Sequence, residues 1–206
     1  MKKLLVMSAI ALFGLVSAQT EKGSWVAGGS TTLGFNSTTS KVKYNGESVD
    51  GPKSTTFNVT PSVGYFVANN FAIGLDLGFK STKNEGSQYI LGEEFDYEST
   101  ESTVIVMPTA TYYFKSASKI MPYLGAGVGY FSNTIKYPAD YFNSEETKFT
   151  TDGLAWGAKG GVVFLVTPSV GIDLGLAYVN TSNKENDVKN STNTFGVNAG
   201  FSFFFK

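Results

Sequence analysis

Three charged residues interrupt segments that are otherwise almost free of charge: Asp76, Lys159 and Asp173. Each lies in a run where bulky residues alternate with small ones, and each shares the face of the small ones. Charges inside an apolar wall must be paired or hydrated. These residues could therefore supply an internal salt bridge that specifies packing, which is the favoured interpretation, or a polar gate on a conduction path.

The spacing of these charges predicts which of them meet. Asp76 lies five residues after Phe71, and Lys159 lies five residues before Phe164, so both are equally far from a short turn. We expect this pair to meet across the interior. A turn at 167–169 that pairs Val166 with Val170 would place Lys159 opposite Ala177, out of easy reach of Asp173.

The composition argues against catalysis. The chain has no His, no Cys and no Arg, and all 16 of its basic residues are Lys. Disulfides and thiolate metal sites are excluded, and the commonest general base and metal ligand is missing. We predict no enzyme activity, no cofactor and no metal. The acidic run 85–101 could coordinate Ca²⁺, but its spacing matches no defined ion-binding loop and a solvated surface is favoured. The formal net charge is −1, so the chain lacks the excess of positive charge that is typical of nucleic-acid-binding proteins.

The first 18 residues are interpreted as a cleaved signal peptide. A charged pair at 2–3 precedes an apolar core at 4–16, and small residues at 16–18 provide a cleavage site. The core is shorter than the roughly 20 residues that a transmembrane helix needs. We expect an exported protein whose remaining residues, 19–206, form one domain.

Eight segments of period-two alternation follow, and the clearest two are joined at 68–70 by a short Asn-rich turn. Connections between successive segments alternate between long and short, which is typical of an up-and-down antiparallel sheet, and eight such strands can close without an edge. The predicted strands are 25–35, the two halves of 59–79, 103–114, 120–130, 153–166, 170–178 and 194–205. The long polar connections are 36–54, 80–101, 132–150 and 181–193.

The two faces of these strands differ in residue size. One is bulky and uncharged, with Ile73, Leu75, Leu77, Val106, Leu124, Val128, Val162, Ile172, Leu174, Val197 and Phe201. The other is rich in Gly, which weakens a strand that it exposes to water. Small residues suit the narrow interior of an eight-stranded barrel, and the bulky face then meets hydrocarbon. A soluble, lipocalin-like secreted binding protein is the alternative, with the bulky face inside.

Aromatic residues fall at two levels along the predicted strands. Trp25, Tyr65, Phe71, Tyr112, Phe114, Phe164, Phe203 and Phe205 lie at the short-turn end, and Phe35, Phe57, Phe79, Tyr130, Trp156, Tyr178 and Phe195 lie at the long-loop end. Aromatic girdles at both interfaces are typical of outer-membrane barrels. The segments also approach the roughly 9–11 residues of a tilted transmembrane strand.

The segments PSVGYFVANNFAIGLDLGF, PYLGAGVGYF and FGVNAGFSFFF resemble the small eight-stranded outer-membrane β-barrel family, of the OmpX or OmpA-transmembrane-domain type. The resemblance implies an all-β fold, an eight-stranded antiparallel up-and-down transmembrane β-barrel in the cell outer membrane. Members of the family usually end on an aromatic residue that the barrel-assembly machinery recognises. Here Phe205 is penultimate and Lys206 is last.

Four inward aromatic residues, Phe66, Tyr113, Tyr123 and Phe204, are predicted to plug the short-turn end with Met121 and Leu165, while the Gly-rich upper half stays hydrated. Two prolines within strands, Pro61 and Pro108, are expected to cause local bulges. We predict a monomer in contact with outer-membrane lipid, with a structural or loop-mediated interaction role. A narrow porin-like conduit for small solutes is the alternative function, and the sequence names no loop ligand.

Overall fold

The computed structural model describes residues 20–31, 35–44, 47–90, 93–114, 119–139, 145–185 and 188–206. They form one antiparallel sheet in which successive strands from β2 to β9 pair, β1 pairs with β3, and β1 closes the sheet against β9. The strands are β1 (Trp25–Thr31), β2 (Phe35–Tyr44), β3 (Glu47–Ala68), β4 (Phe71–Ile90), β5 (Glu93–Tyr113), β6 (Ile120–Tyr137), β7 (Thr147–Thr167), β8 (Val170–Glu185) and β9 (Val188–Phe205).

The first two strands follow one another along the same edge of β3. Ser30 of β1 pairs with Thr60, and Phe35 of β2 pairs with Phe57. They therefore count as one strand of the wall, and the sheet is a closed, eight-stranded, all-antiparallel barrel, as the sequence predicts. Among the described residues, no helix is long and apolar enough to span a membrane.

Part of the sequence-based prediction lies outside the described residues. This holds for the signal peptide at 1–18, for its cleavage site, for residues 32–34 of the first predicted strand, and for the side chain of Phe35. Within the described part, the predicted turn at 68–70 is present. Asn70 has a φ of 66°, a left-handed conformation that Asn tolerates better than most residues.

The prediction of four long polar loops was wrong, because the strands continue through most of them. In the β4–β5 hairpin, residue pairing runs without interruption from Phe71↔Tyr112 to Ile90↔Glu93. The barrel fixes two strands next to each other, and segments rich in Thr and Tyr then continue the ladder of hydrogen bonds beyond it, because these residues favour strands. Beyond the apolar band, hydrophobic alternation no longer marks a strand that is still present. Within the described residues, each predicted long loop is for the most part a paired hairpin arm.

The predicted bulges at the two prolines were also wrong. The β3–β4 pairing keeps one register from Val59↔Phe79 to Ser62↔Asp76, across Pro61. The β5–β6 pairing does the same across Pro108, from Val106↔Tyr130 to Thr109↔Gly127. A proline lacks a donor, so each ladder skips two residue pairs and then resumes without an extra residue in either strand.

Register shifts occur instead between Thr39 and Lys41 in the β2–β3 arm and at two places beside short turns. One lies between Phe66 and Ala68, and the other between Leu165 and Thr167. The second corrects the predicted Val166–Val170 pair, since Thr167 pairs with Val170. The rest of that hairpin has the predicted register, with Lys159 opposite Ala177.

The bulky face lies outside the barrel. Leu124 is 59% exposed and Val197 65% exposed, whereas Phe66 and Val163 on the opposite face are fully buried. The aromatic girdles are exposed in the same way, including Trp25, Tyr65, Tyr112, Phe114, Phe164, Phe203 and Phe205 at one level and Phe57, Phe79, Tyr130, Trp156 and Phe195 at the other. This is the orientation in which apolar side chains meet lipid, and it is opposite to that of a soluble lipocalin-like barrel.

Candidate functional site

The candidate site is a polar layer in the middle of the lumen, built around the contact between Asp76 and Lys159. Lys159 Nζ donates a hydrogen bond to Asp76 Oδ2 over 2.6 Å. Asp76 lies on β4 and Lys159 on β7, so the ion pair crosses the interior, as the count from the short turns predicts. Gly125 lies beside Lys159 in the pairing of β6 with β7, and a Cβ there would lie 3.3 Å from Lys159 Cε. The glycine thus leaves room for the lysine stem.

Asp173 has a different partner, the hydroxyl of Ser202, which donates a hydrogen bond to Asp173 Oδ2. In the β8–β9 register Asp173 pairs with Gly200, and Ser202 is the next inward residue along β9. The structure therefore does not bring Asp173 into the ion pair. The sequence does not identify Ser202 as a partner, although its inward position follows from the alternation of β9.

A cavity of about 40 Å³ lies in this polar layer. Its lining includes the charged groups of Asp76 and Lys159 and the hydroxyls of Thr109, Thr111 and Ser202. A polar cavity of this size can hold water. Charged side chains in this layer can therefore be stabilised both by water and by pairing with an opposite charge.

The four residues of the predicted plug come together below the polar layer. The ring of Phe66 lies 5.5 Å from that of Tyr113 and 6.5 Å from that of Phe204, and the rings of Tyr113 and Tyr123 are 5.9 Å apart. The buried cluster also contains Val26, Ala72, Met121 and Val163, and Leu165 packs against it. Whether this cluster blocks passage stays a prediction, but its members form one continuous apolar layer at the short-turn end.

Two glycines explain how Tyr123 fits into this layer. A Cβ at Gly175 would lie 2.6 Å from Tyr123 Oη, and one at Gly161 would lie 3.0 Å from it. The first distance is shorter than real Cβ contacts, and the second is tighter than almost all of them. The two glycines, on β7 and β8, therefore provide the space that the side chain of Tyr123 occupies inside the lumen.

A second apolar cluster lies above the polar layer and was not expected. Met107, Phe131 and Ala155 are buried together, with Ile105 and Val179 packed against them. The prediction that the whole upper half of the lumen is hydrated was therefore wrong. These residues come from four neighbouring strands, and they meet because the stagger of the barrel brings different sequence positions to one height.

The acidic run 85–101 forms part of the β4–β5 arm. Lys83 Nζ lies 2.7 Å from Glu85 Oε1 and 3.0 Å from Glu98 Oε2. Hydrogen bonding to Glu85, and then to Glu98, raises the pKa of Lys83, and the bond to Lys83 lowers the pKa of Glu85. Within the described ranges no three acidic side chains gather into a metal-binding group. Two of the carboxylates, those of Glu85 and Glu98, form salt bridges with Lys83 instead.

The comparisons with known proteins agree with this architecture. The family model described as "Outer membrane protein beta-barrel domain" matches residues 8–203. No curated protein sequence matches the chain.

Solved structures with similar folds include Neisserial surface protein A, at 22% identity over 88% of this chain and 97% of that one, with a TM-score of 0.42. OprG of Pseudomonas aeruginosa is 16% identical over 92% and 99% of the two chains, with a TM-score of 0.47. Ail, the attachment invasion locus protein of Yersinia pestis, solved with the heparin analogue sucrose octasulfate, is 20% identical over 89% and 99%, with a TM-score of 0.45.

Proposed function

Because the chain belongs to the outer membrane protein beta-barrel domain family, we propose that it is a structural and interaction protein that presents its hairpin arms at the cell surface. The protein is an integral β-barrel of the outer membrane. The soluble, lipocalin-like alternative is set aside by this family membership and by the outward orientation of the bulky face.

The observation that carries the proposal is the packed lumen. Phe66 is fully buried, and Tyr113 and Phe204 are 8% and 3% exposed, in one cluster at the short-turn end. Barrels with an aqueous channel generally have about 16 strands, whereas eight leave an interior that side chains fill. A filled interior favours a role for the outer surface and the arms over a role in transport.

The alternative function, a narrow conduit for small solutes, rests on the polar layer. The cavity of about 40 Å³ is lined by Asp76, Lys159 and several hydroxyls, which are the groups that a polar path needs. For conduction the plug around Phe66 would have to open.

The remaining parts of the proposal concern partners and processing. We infer that residues 1–18 are removed on export, that the aromatic end of β9 is read by the barrel-assembly machinery, and that the mature protein is a monomer surrounded by lipid. Catalysis is not part of the proposed role, because the sequence contains neither His nor Cys.

The membrane-embedded orientation predicts a large effect of a charge at Leu124. This residue lies near the middle of the apolar stretch of β6 and is 59% exposed. We expect Leu124→Lys to lower the free energy of unfolding by about 2–4 kcal/mol, the typical cost of a lysine on the lipid face near the midplane. Urea titration of the barrel folded in phospholipid vesicles measures this cost.

Thr134 offers a matched control on the same strand and the same face. It lies beyond the girdle residue Tyr130, and its hydroxyl is 3.2 Å from that of Thr150. Thr134→Lys should change stability by no more than about 0.5 kcal/mol, as for an ordinary surface substitution. Equal effects of the two lysines would contradict a lipid boundary between these positions.

Planar bilayer recordings separate the two proposed functions. With the plug packed as observed, the wild-type protein should give no stable, discrete conductance steps. Reproducible steps, absent when an unrelated protein purified in the same way is added, would favour the conduit over the structural and interaction role. The Leu124 and Thr134 measurements would be unaffected by that outcome.

A further inference from the structure

The outward face of the β6–β7 arm changes from apolar to polar where the arm leaves the membrane. Within the membrane the inward face combines glycines and Lys159 with apolar residues of the two lumen clusters, such as Met121 and Phe131. Beyond Tyr130, the outward positions of β6 are Ser132, Thr134 and Lys136, and the inward positions are Asn133, Ile135 and Tyr137. Across the hairpin, Phe149 of β7 pairs with Ile135 and so shares the inward face.

The aromatic residues on this inward face are uncovered. Tyr137 is 45% exposed and Phe149 is 59% exposed, although their rings pack edge to face with centroids 6.3 Å apart. Tyr97 of the neighbouring β4–β5 arm lies on the same side and is 38% exposed. Its ring rests on Gly86, where a Cβ would lie 2.8 Å from the hydroxyl oxygen. We name Tyr97, Ile135, Tyr137 and Phe149 the arm face.

Lipid does not account for these side chains. Phe149 precedes the outward, charged Asp152 in β7 and is farther than Asp152 from the girdle residue Trp156. It faces the side that continues the lumen wall, away from the bilayer. An uncovered apolar surface in water is a frequent sign of a binding site.

The charge around the arm face indicates what kind of partner fits it. Segment 80–101 carries six acidic residues and two lysines, and segment 132–150 carries three acidic residues and two lysines. The other two arms are close to balanced, with three lysines and two acids in 36–54 and two of each in 181–193. The negative charge is therefore concentrated on the two arms that carry the exposed aromatics.

We propose that the arm face binds cationic amphipathic peptide segments. Apolar side chains of the peptide would pack on Ile135, Tyr137 and Phe149, and its lysines or arginines would meet the acidic arms and the aromatic ring faces. Complementary charge also speeds encounter and makes binding sensitive to salt. This inference deepens the proposed interaction role and rests on it.

The test uses the full barrel in nanodiscs of zwitterionic lipid, with empty nanodiscs as the reference for peptide that binds lipid alone. The probe is a synthetic helical peptide of Lys and Leu with a single Trp reporter. Two further peptides separate the forces, one with Glu in place of Lys and one with Ser in place of Leu. We expect the Lys/Leu peptide to bind most tightly, and its affinity to fall as salt is added.

The variant Tyr137→Ser/Phe149→Ser should weaken binding of the Lys/Leu peptide roughly tenfold. The matched control is Thr134→Ala/Thr150→Ala, which alters the opposite face of the same arm and should leave the affinity unchanged. Unheated gel mobility confirms that both variants fold.

Three results would overturn the proposal: equal affinity for the Glu/Leu peptide, equal affinity of the Tyr137/Phe149 variant and the wild type, or an equal loss in the Thr134/Thr150 control. Self-association that the Tyr137/Phe149 variant abolishes would also overturn it, because it would assign the arm face to a second copy of the chain. Any of these results would leave the Leu124→Lys test of the barrel itself intact.

Discussion

Phe66→Ala should be among the most damaging single substitutions in this barrel, lowering the free energy of unfolding by about 3–5 kcal/mol. The ring is fully buried and contacts the rings of Tyr113 and Phe204 inside the lumen. Its removal forfeits the transfer free energy of the phenyl group and leaves a cavity that surrounding side chains, fixed on a closed wall, cannot fill. Urea unfolding in phospholipid vesicles, followed by the shift in unheated gel mobility, gives the value.

Phe201→Ala is the matched control, because this phenylalanine is 57% exposed on the lipid face. Its truncation should cost only about 1.5–3 kcal/mol, the transfer contribution alone, since acyl chains fill the vacated space. If the two alanine variants lose the same stability, the short-turn cluster is not a tightly packed plug. Conductance steps that arise in Phe66→Ala but not in Phe201→Ala would identify Phe66 as part of the barrier to passage.

The contact between Asp76 and Lys159 could be predicted because all the short turns lie at one end of the barrel and give a common level from which to count. Both residues lie five positions from such a turn, and alternation determines that both point inward. Counting along a strand is therefore enough to place two charges at one height. The same reasoning places Lys159 opposite Ala177.

Contacts that depend on the stagger of the barrel could not be predicted in this way. Met107 and Phe131 lie on β5 and β6, but Val179 lies on β8, beyond the long β6–β7 arm, so no short turn relates its height to theirs. The partnership of Ser202 with Asp173 has the same origin, because it requires the relative offset of β8 and β9. That offset is set by a long hairpin arm, whose register the sequence pattern leaves open.

The arms and the prolines show where the pattern rules themselves fail. Hydrophobic alternation reports contact with lipid, so it ends at the girdle even though β4 continues to Ile90. Above the girdle the aromatic side chains Tyr137 and Phe149 still occupy the inward face, while the outward face is no longer apolar. Pro61 removes one donor but adds no residue, so the register continues past it.

Lys159→Met should lower the free energy of unfolding by about 3 kcal/mol at neutral pH. The lysine is the partner of Asp76 at 2.6 Å, and the two side chains are only 28% and 16% exposed. Removal of one member of a mostly buried ion pair leaves an uncompensated charge, which typically costs about 3–5 kcal/mol. The partial exposure of this pair places the expected value at the lower end. The measurement is again urea unfolding in vesicles.

Replacing both partners distinguishes a lost charge pair from lost packing. In Asp76→Leu/Lys159→Met no charge remains unpaired at this contact, and stability should return to within about 1 kcal/mol of the wild type, because apolar residues of similar volume often replace an ion pair without cost. A double variant as unstable as the single one would show that the polar layer has to be polar, consistent with water in the adjoining cavity of about 40 Å³.

Conductance is the second readout, and we expect none from Lys159→Met, since the plug around Phe66 lies below the ion pair and is unchanged. Current steps in Lys159→Met that the wild type lacks would identify the ion pair as a gate. They would favour the narrow conduit over the structural and interaction role.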